Sequence, residues 1–378
     1  MARETSGRDA TSGGSLYDMT LPLAIFRVDA SVTQGLGHFM RCRALADEWR
    51  KRGGQVTFVT TETPSALLEH LRAEGYAVRD GSSNGLSGVD NIAWMTTILT
   101  EERPAVLVLD GYRFDVRYQQ NVRPLVRTLV GLDDVPQRRF ECDLVLNQNL
   151  GVAAEDYRPL VPPGSTLLLG PRYALLRSGF KEHAGCYRAP ARPARALVTL
   201  GGGGLANHTA SVLRELVMLP GLHLDVVLGS FYPHPDPLTG MENLNPGRVQ
   251  VYKGLDNLLE LARCTDLAVT AAGSTVWELA CLGIPMVVVG TADNQEAVLR
   301  GLREEEAAIV LGRMESIKSG EIAKAVSKLL AAPARLEALS CAAGRLVDGR
   351  GVERVVETIV ERLGQSAPNT GASVVVRR

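Results

Sequence analysis

The sequence begins the same local unit twice: a strand-length apolar run, a glycine-bearing loop, then an amphipathic helix. The first copy has a predicted strand at 23–28 and a loop at 29–38. Its helix carries Phe39, Cys42, Leu45, Ala46 and Trp49 on one side, the spacing of a 3.6-residue period. The second copy has a strand at 194–200, the run Gly201-Gly202-Gly203-Gly204, and a helix at 207–218. Runs such as 105–109 are apolar without alternation, as strands covered on both faces must be. Strands that alternate with helices pair in parallel through right-handed crossovers. The chain is therefore expected to be α/β, with two Rossmann-like domains facing across a cleft. Ligands of such sheets bind beyond the carboxyl ends of the strands.

The expected boundaries are a disordered tail at 1–20, an N-terminal domain at 21–184, a linker at 185–193, a C-terminal domain at 194–363 and a tail at 364–378. Pro190 and Pro193 mark the linker. The 378 residues are 45% hydrophobic, enough for two cores. Lys and Arg total 41 against 42 Asp and Glu, so no basic face for nucleic acid is expected. No apolar run reaches the roughly 18 residues of a membrane span. The first 20 residues contain no apolar core of a secretory signal. The six cysteines include no CxxC pair and read as cytosolic thiols. A cytoplasmic location follows as the expectation. No DxD clamp occurs, and neither a metal nor a cofactor is expected.

Four loops can carry chemistry. The first holds Asp29, Ser31, Gly35, Gly37, His38 and Arg41. Its glycines permit close backbone approach to a ligand. His38 opens the following helix, where its imidazole can act as a base; the helix dipole disfavours the imidazolium. The second is the glycine run, in which Gly202 and Gly203 could cradle a phosphate. The third is Gly273-Ser274-Thr275, with Glu278 one turn later. Helix-start amides and hydroxyls there suit a phosphate, and Glu278 suits a ribose diol. Asn294 and Gln295, at another helix start, could read sugar hydroxyls. The fourth is Asp110-Gly111-Tyr112-Arg113, after a strand. Asp133-Asp134 could be an acid/base couple or a solvated turn.

Taken in order, GxGHxxR, DxY, CDLVLNQNLG, LLGPRYALLR, AGSTVWELACLGIP and DNQ resemble the UDP-sugar hydrolase of pseudaminic-acid biosynthesis and its spore-coat polysaccharide relatives. That group is similar to the peptidoglycan N-acetylglucosaminyltransferase and shares its GT-B fold. The resemblance covers roughly residues 23–310. It implies His38 as the base acting at the sugar C1, with Tyr112 and Asp29 beside it. It also implies a UDP site at Gly202, Gly203, Gly273, Ser274, Thr275 and Glu278. Gly37, Arg41, Arg113, Asn294 and Gln295 would then face the sugar or the acceptor.

Two positions depart from the family pattern. Gly111 stands where the family has His, and the glycine run lacks its usual Ser-Asp or Thr-Asp. Room at Gly111 suggests an acceptor larger than water, and Arg113 suggests a uronic acid on UDP. The leading expectation is transfer from a UDP-sugar to a small acceptor such as a nucleobase. The cytosylglucuronate synthases of antibiotic pathways exemplify that chemistry, with UDP-glucuronate as donor. Hydrolysis by water is the alternative.

Overall fold

The computed structural model describes residues 20–31, 36–85, 88–185, 187, 194–201, 208–229, 232, 236–255, 257–365 and 374–377. Most of the expected tails and linker, with Gly35, Gly202 and Gly203, lie outside the described residues.

The N-terminal half alternates β1 (Ala24–Val28), α1 (Gly37–Lys51), β2 (Val56–Thr60), α2 (Ser65–Ala73), β3 (Ala77–Asp80), α3 (Gly88–Glu102) and β4 (Val106–Asp110). It continues through α4 (Val116–Val122), β5 (Thr128–Leu132), β6 (Leu144–Asn147), α5 (Ala154–Tyr157) and β7 (Thr166–Leu169). The second half contains β8 (Ala194–Thr199), α6 (His208–Leu216), β9 (Leu222–Leu228), α7 (Asp236–Leu244), β10 (Val249–Lys253), α8 (Leu259–Arg263) and β11 (Leu267–Ala271). It goes on with α9 (Thr275–Leu282), β12 (Met286–Gly290), α10 (Glu296–Glu304), β13 (Ile309–Arg313), α11 (Glu321–Leu330), α12 (Pro333–Leu346), α13 (Gly351–Gly364) and β14 (Val375–Arg377).

The strands form two sheets, ordered β14-β7-β6-β5-β4-β1-β2-β3 and β10-β9-β8-β11-β12-β13. Every pairing is parallel. Both faces of each sheet are covered, which explains the unbroken apolar runs. On β1, Ala24, Phe26 and Val28 pack toward Phe39, Trp49 and Phe58, while Ile25 joins Met95, Leu107 and Leu129 on the opposite face. In the second sheet Leu197, Ala268 and Val288 lie under Trp277 and Leu299. Val198, Val226 and Val269 face the other core with Leu213 and Val326.

The strand order reverses between β1 and β4 in one sheet and between β8 and β11 in the other. Loops leaving these pairs diverge and open a crevice at each switch point. The four chemical loops of the sequence follow those four strands.

The domain boundaries differ from the expectation at both ends of the second domain. Tyr173 and Leu175 belong to a core of the first domain, while Ala174, Leu176 and Phe180 belong to a core of the second. The chain therefore changes domain near 173–176, before the proline-rich stretch. Helix α13 returns to the first domain, where Val352, Val355, Val356 and Ile359 join its core. Part of the expected C-terminal tail is a strand: Val375–Arg377 pairs with Thr166, Leu167 and Leu168 of β7. Local periodicity identified α13 as a helix but could not assign its apolar face to a distant sheet.

Candidate active site

Loops from both domains enclose a cavity of about 580 Å³. Gly37, His38, Arg41 and Tyr112 line it from the first domain; Gly201, Gly273, Ser274, Thr275, Glu278, Asn294 and Gln295 line it from the second. The expected site residues are thus largely brought together.

Helix α1 starts at Gly37, and α9 starts at Thr275 after Ser274. Neither helix has a side-chain cap hydrogen bond; in α9 the Val276 and Trp277 amides bond back to the Gly273 and Ser274 carbonyls at 3.1 Å. A Cβ at Gly37 would lie 3.4 Å from Ser274 Oγ, so the two helix starts meet across the crevice. Their dipoles present positive potential from both sides, a field suited to a phosphate.

His38 stands on the first turn of α1, and its side chain is 13% exposed. Its Nδ1 lies 2.6 Å from Asp110 Oδ1, at the carboxyl end of β4. An ionised Asp110 can only accept, so Nδ1 carries the proton and Nε2 holds the lone pair of the neutral ring; Arg41 Nη2 also lies 3.0 Å from Nδ1. Arg41, one turn further along α1, donates from Nε and Nη2 to Asp110, each at 2.6 Å. It also donates from Nη1 to Asp134 Oδ1 at 2.6 Å. Tyr112 donates its hydroxyl to Asp134 Oδ2 at 3.0 Å, and Asn294 Nδ2 donates across the crevice to that hydroxyl at 2.8 Å. The Tyr112 ring meets the His38 ring edge-on at 5.4 Å.

The charges follow from this packing. Burial alone would lower the His38 pKa; Asp110 and Asp134 outweigh both burial and Arg41, and raise it. The helix dipole therefore does not dominate, contrary to the expectation for this histidine. Burial would raise Asp110, but Arg41 and His38 hold it well below the usual carboxylate range. Asp134 is also lowered, with burial opposed chiefly by Arg41 and His38. Burial pushes neighbouring Asp133 up to about 6. Tyr157 donates to Asp133 at 2.7 Å and in turn accepts from Asn147, in a separate buried chain of hydrogen bonds. The acid/base couple suggested by Asp133-Asp134 is thus divided between two environments.

Asp29 is not placed as expected. Its carboxylate is 3% exposed and accepts from Arg27 at 2.8 Å and from the amides of Thr61 and Glu62 at 2.7 and 2.9 Å. Arg113 donates to the same carboxylate and to Thr61 Oγ1. Asp29 therefore braces β1 against the turn after β2, and Arg113 is held there by an ion pair. Neither lines the cavity, so the basis for a uronic acid at Arg113 falls away. Gly111 also departs from the expectation. Its φ is +149°, and a Cβ would sit 3.1 Å from Phe114 Cε2. Glycine there serves the backbone and opens no room for an acceptor.

Glu278 lies at the cavity wall, where Arg177 donates to its Oε1 from Nε at 2.9 Å and from Nη2 at 2.7 Å. Gln295 Oε1 accepts from the Thr291 amide at 2.8 Å. Asp110 and Asp134 stood in loops the sequence singled out, but their roles as the carboxylates around His38 and Arg41 were not foreseen. Asp110 ends β4 and Asp134 follows the neighbouring β5, and the spacing of His38 and Arg41 on one helix face was the available clue to their partners.

No family model matches the chain. It is 28% identical over 271 residues to the uncharacterized protein MJ1062 of Methanocaldococcus jannaschii, covering 69% of this chain and 54% of that protein. It thus spans about half the length of that relative. It is 23% identical over 347 residues to the spore coat polysaccharide biosynthesis protein SpsG of Bacillus subtilis, covering 86% and 94%. It is 23% identical over 281 residues to the UDP-2,4-diacetamido-2,4,6-trideoxy-beta-L-altropyranose hydrolase of Campylobacter jejuni, covering 74% and 96%. Among solved structures, MurG of Acinetobacter baumannii superposes with a TM-score of 0.62 at 15% identity, covering 90% of this chain and 99% of that one. LpCGTa in complex with UDP gives 0.61 at 15%, covering 92% and 100%. Two parallel-stranded domains, a crevice between their switch points and a last helix returning to the first domain give this chain the GT-B fold.

Proposed function

We propose that this chain is an enzyme that cleaves a UDP-sugar at C1 and releases UDP, with His38 as the base that activates the incoming nucleophile. One observation carries the reading. His38 Nε2 is the free ring nitrogen beside a crevice whose opposite wall is the start of α9. The nucleophile's proton passes to Nε2 as its oxygen or nitrogen bonds to C1. The C1–O bond breaks, and its electron pair leaves with UDP. The developing phosphate charge meets the positive end of α9 and the Ser274 hydroxyl. The developing imidazolium keeps its Nδ1–H on Asp110, and Arg41 holds that carboxylate in place. Glu278, with Arg177 against it, is the candidate ribose acceptor.

The relatives support a UDP-sugar as substrate: one is named a hydrolase of such a compound and one takes part in polysaccharide biosynthesis. The MurG and UDP-bound LpCGTa folds are compatible with it. A small organic acceptor and water both remain within this chemistry. The test is a panel of UDP-sugars, each incubated with and without nucleobase and alcohol acceptors while UDP is quantified. UDP release without acceptor indicates hydrolysis, and acceptor-dependent release indicates transfer. No release from any donor rejects the proposal.

A further inference from the structure

Gln148 lines the cavity and is only 4% exposed, yet its side-chain amide is half used. Its Oε1 accepts from the Leu175 amide at 3.0 Å. A backbone N–H can only donate, so this bond fixes which end of the amide is oxygen and leaves Nε2 as the donor. Among the described residues, none accepts from Nε2. The turn that carries Gln148 is itself held. Asn147 Nδ2 donates to Tyr157 at 2.7 Å, and the Asn149 amide donates to Asn147 Oδ1 at 2.9 Å. Leu175 lies where the chain crosses between domains: it packs in a core of the first, and Ala174 and Leu176 pack in a core of the second. A buried donor held this firmly is costly unless a ligand meets it.

The place of Gln148 selects the part of the ligand it meets. It follows β6, next to β5 in the sheet, and Asn149 Nδ2 lies 3.4 Å from the Asp134 carboxylate beside His38. Gln148 therefore shares the first-domain wall with the proposed base, while Ser274 and Glu278, the proposed nucleotide contacts, belong to the second domain. Leu36, Met40 and Leu175 make this wall apolar, and Arg41 and Arg177 are paired with carboxylates. An ionised group would lose more hydration here than one neutral amide returns. We infer that Gln148 is a specificity-determining residue: its Nε2 donates to a neutral oxygen on the sugar of the UDP-sugar, a hydroxyl or an acyl carbonyl. The inference rests on the proposed UDP-sugar cleavage and adds the residue that tells one sugar from another. A sugar without that oxygen leaves Nε2 buried and unpaired, and is rejected.

The purified full chain is assayed for UDP release with the UDP-sugar it cleaves best and with analogues that each lack one hydroxyl or acyl group of the sugar, and kcat/KM is compared. In the wild type, loss of one such group should cost about tenfold or more. In Gln148→Met the parent UDP-sugar should fall by a similar factor. Removing the same group should then cost less than about twofold, with the penalties at other positions unchanged. Gln148→Glu keeps an acceptor for the Leu175 amide and puts an oxygen where the donor was. It should show the same pattern, and it carries the test if Gln148→Met does not fold. UDP affinity, measured calorimetrically, should stay within about twofold in both variants, because UDP lacks the cleaved sugar. The inference is overturned if no group matters in the wild type, if every penalty persists in the folded variants, or if UDP affinity falls together with kcat/KM. Each of these results leaves UDP-sugar cleavage intact. No UDP release by the wild type from any UDP-sugar overturns both.

Discussion

Replacing Asp110 with Asn tests the central pair directly, because it removes charge with little change of shape. In the proposed reaction His38 becomes an imidazolium whose Nδ1–H faces Asp110 Oδ1 at 2.6 Å. A hydrogen bond to a charged group contributes about 1.5–3 kcal/mol, a factor of about 10–150 in rate. Asn can also turn its amide NH2 toward Nδ1. That stabilises the tautomer with its proton on Nε2 and removes the free lone pair. Together these effects should lower kcat by about 10²–10⁴. UDP affinity, measured calorimetrically, should change little, since Asp110 is not among the residues lining the cavity. The pH profile gives a second reading. Asp110 is the principal group raising the His38 pKa against burial. The wild-type rate should therefore climb with pH through a midpoint above the ordinary histidine value of about 6.5, and residual activity in the variant should have a lower midpoint. A variant that keeps kcat within a few-fold, with the same midpoint, refutes the role of this pair.

His38→Ala should reduce UDP release by about 10²–10⁴ while the protein still binds UDP, which calorimetry alongside a UDP-release assay would show. Glu278→Ala should weaken UDP binding by about 1–3 kcal/mol in the same titration; unchanged affinity moves the ribose contact elsewhere. Gly111→Ala forces a side chain onto a φ of +149° against Phe114 and should cost about 1–3 kcal/mol, seen as a lower Tm. Asp110 has a depressed pKa when folded, so its contribution to stability is complete above about pH 4 and fades as acid approaches the folded value. Asp110→Asn should therefore flatten the loss of stability on acidification, measured by denaturant unfolding between pH 5 and 3 or so.

The layered fold was legible because its signals are local. Strands buried on both faces must be uniformly apolar, and β4, β5, β11 and β12 read that way. Glycine loops at two helix starts gave both switch points. The elements misplaced in the sequence are those fixed by distant contacts. The apolar face of α13 suits any sheet, and only the assembled fold shows it packed against α1 and β5 of the first domain. β14 is three residues of valine and arginine and becomes a strand because β7 offers it an edge.

The site divides along the same line, and this explains which residues were misjudged. His38 and Ser274 are identified by position on the chain, since a residue at a helix start faces the crevice whatever surrounds it. Acidic and basic residues are identified by their partners, which the chain order conceals. Asp29 and Asp110 lie at the same switch point, Asp29 just after β1 and Asp110 at the end of β4, where it pairs with Val28. Asp29 meets two backbone amides and two arginines and becomes a brace. Asp110 meets His38 and Arg41 and becomes the support of a base. Arg41 and Arg113 diverge in the same way: the first joins both carboxylates around His38, and the second is taken up by Asp29. A charge left unpaired in these buried positions would cost more than any one contact supplies. Each ion pair therefore fixes its members together, and the assignment of Asp110 to His38 depends on Asp29 having its own cations.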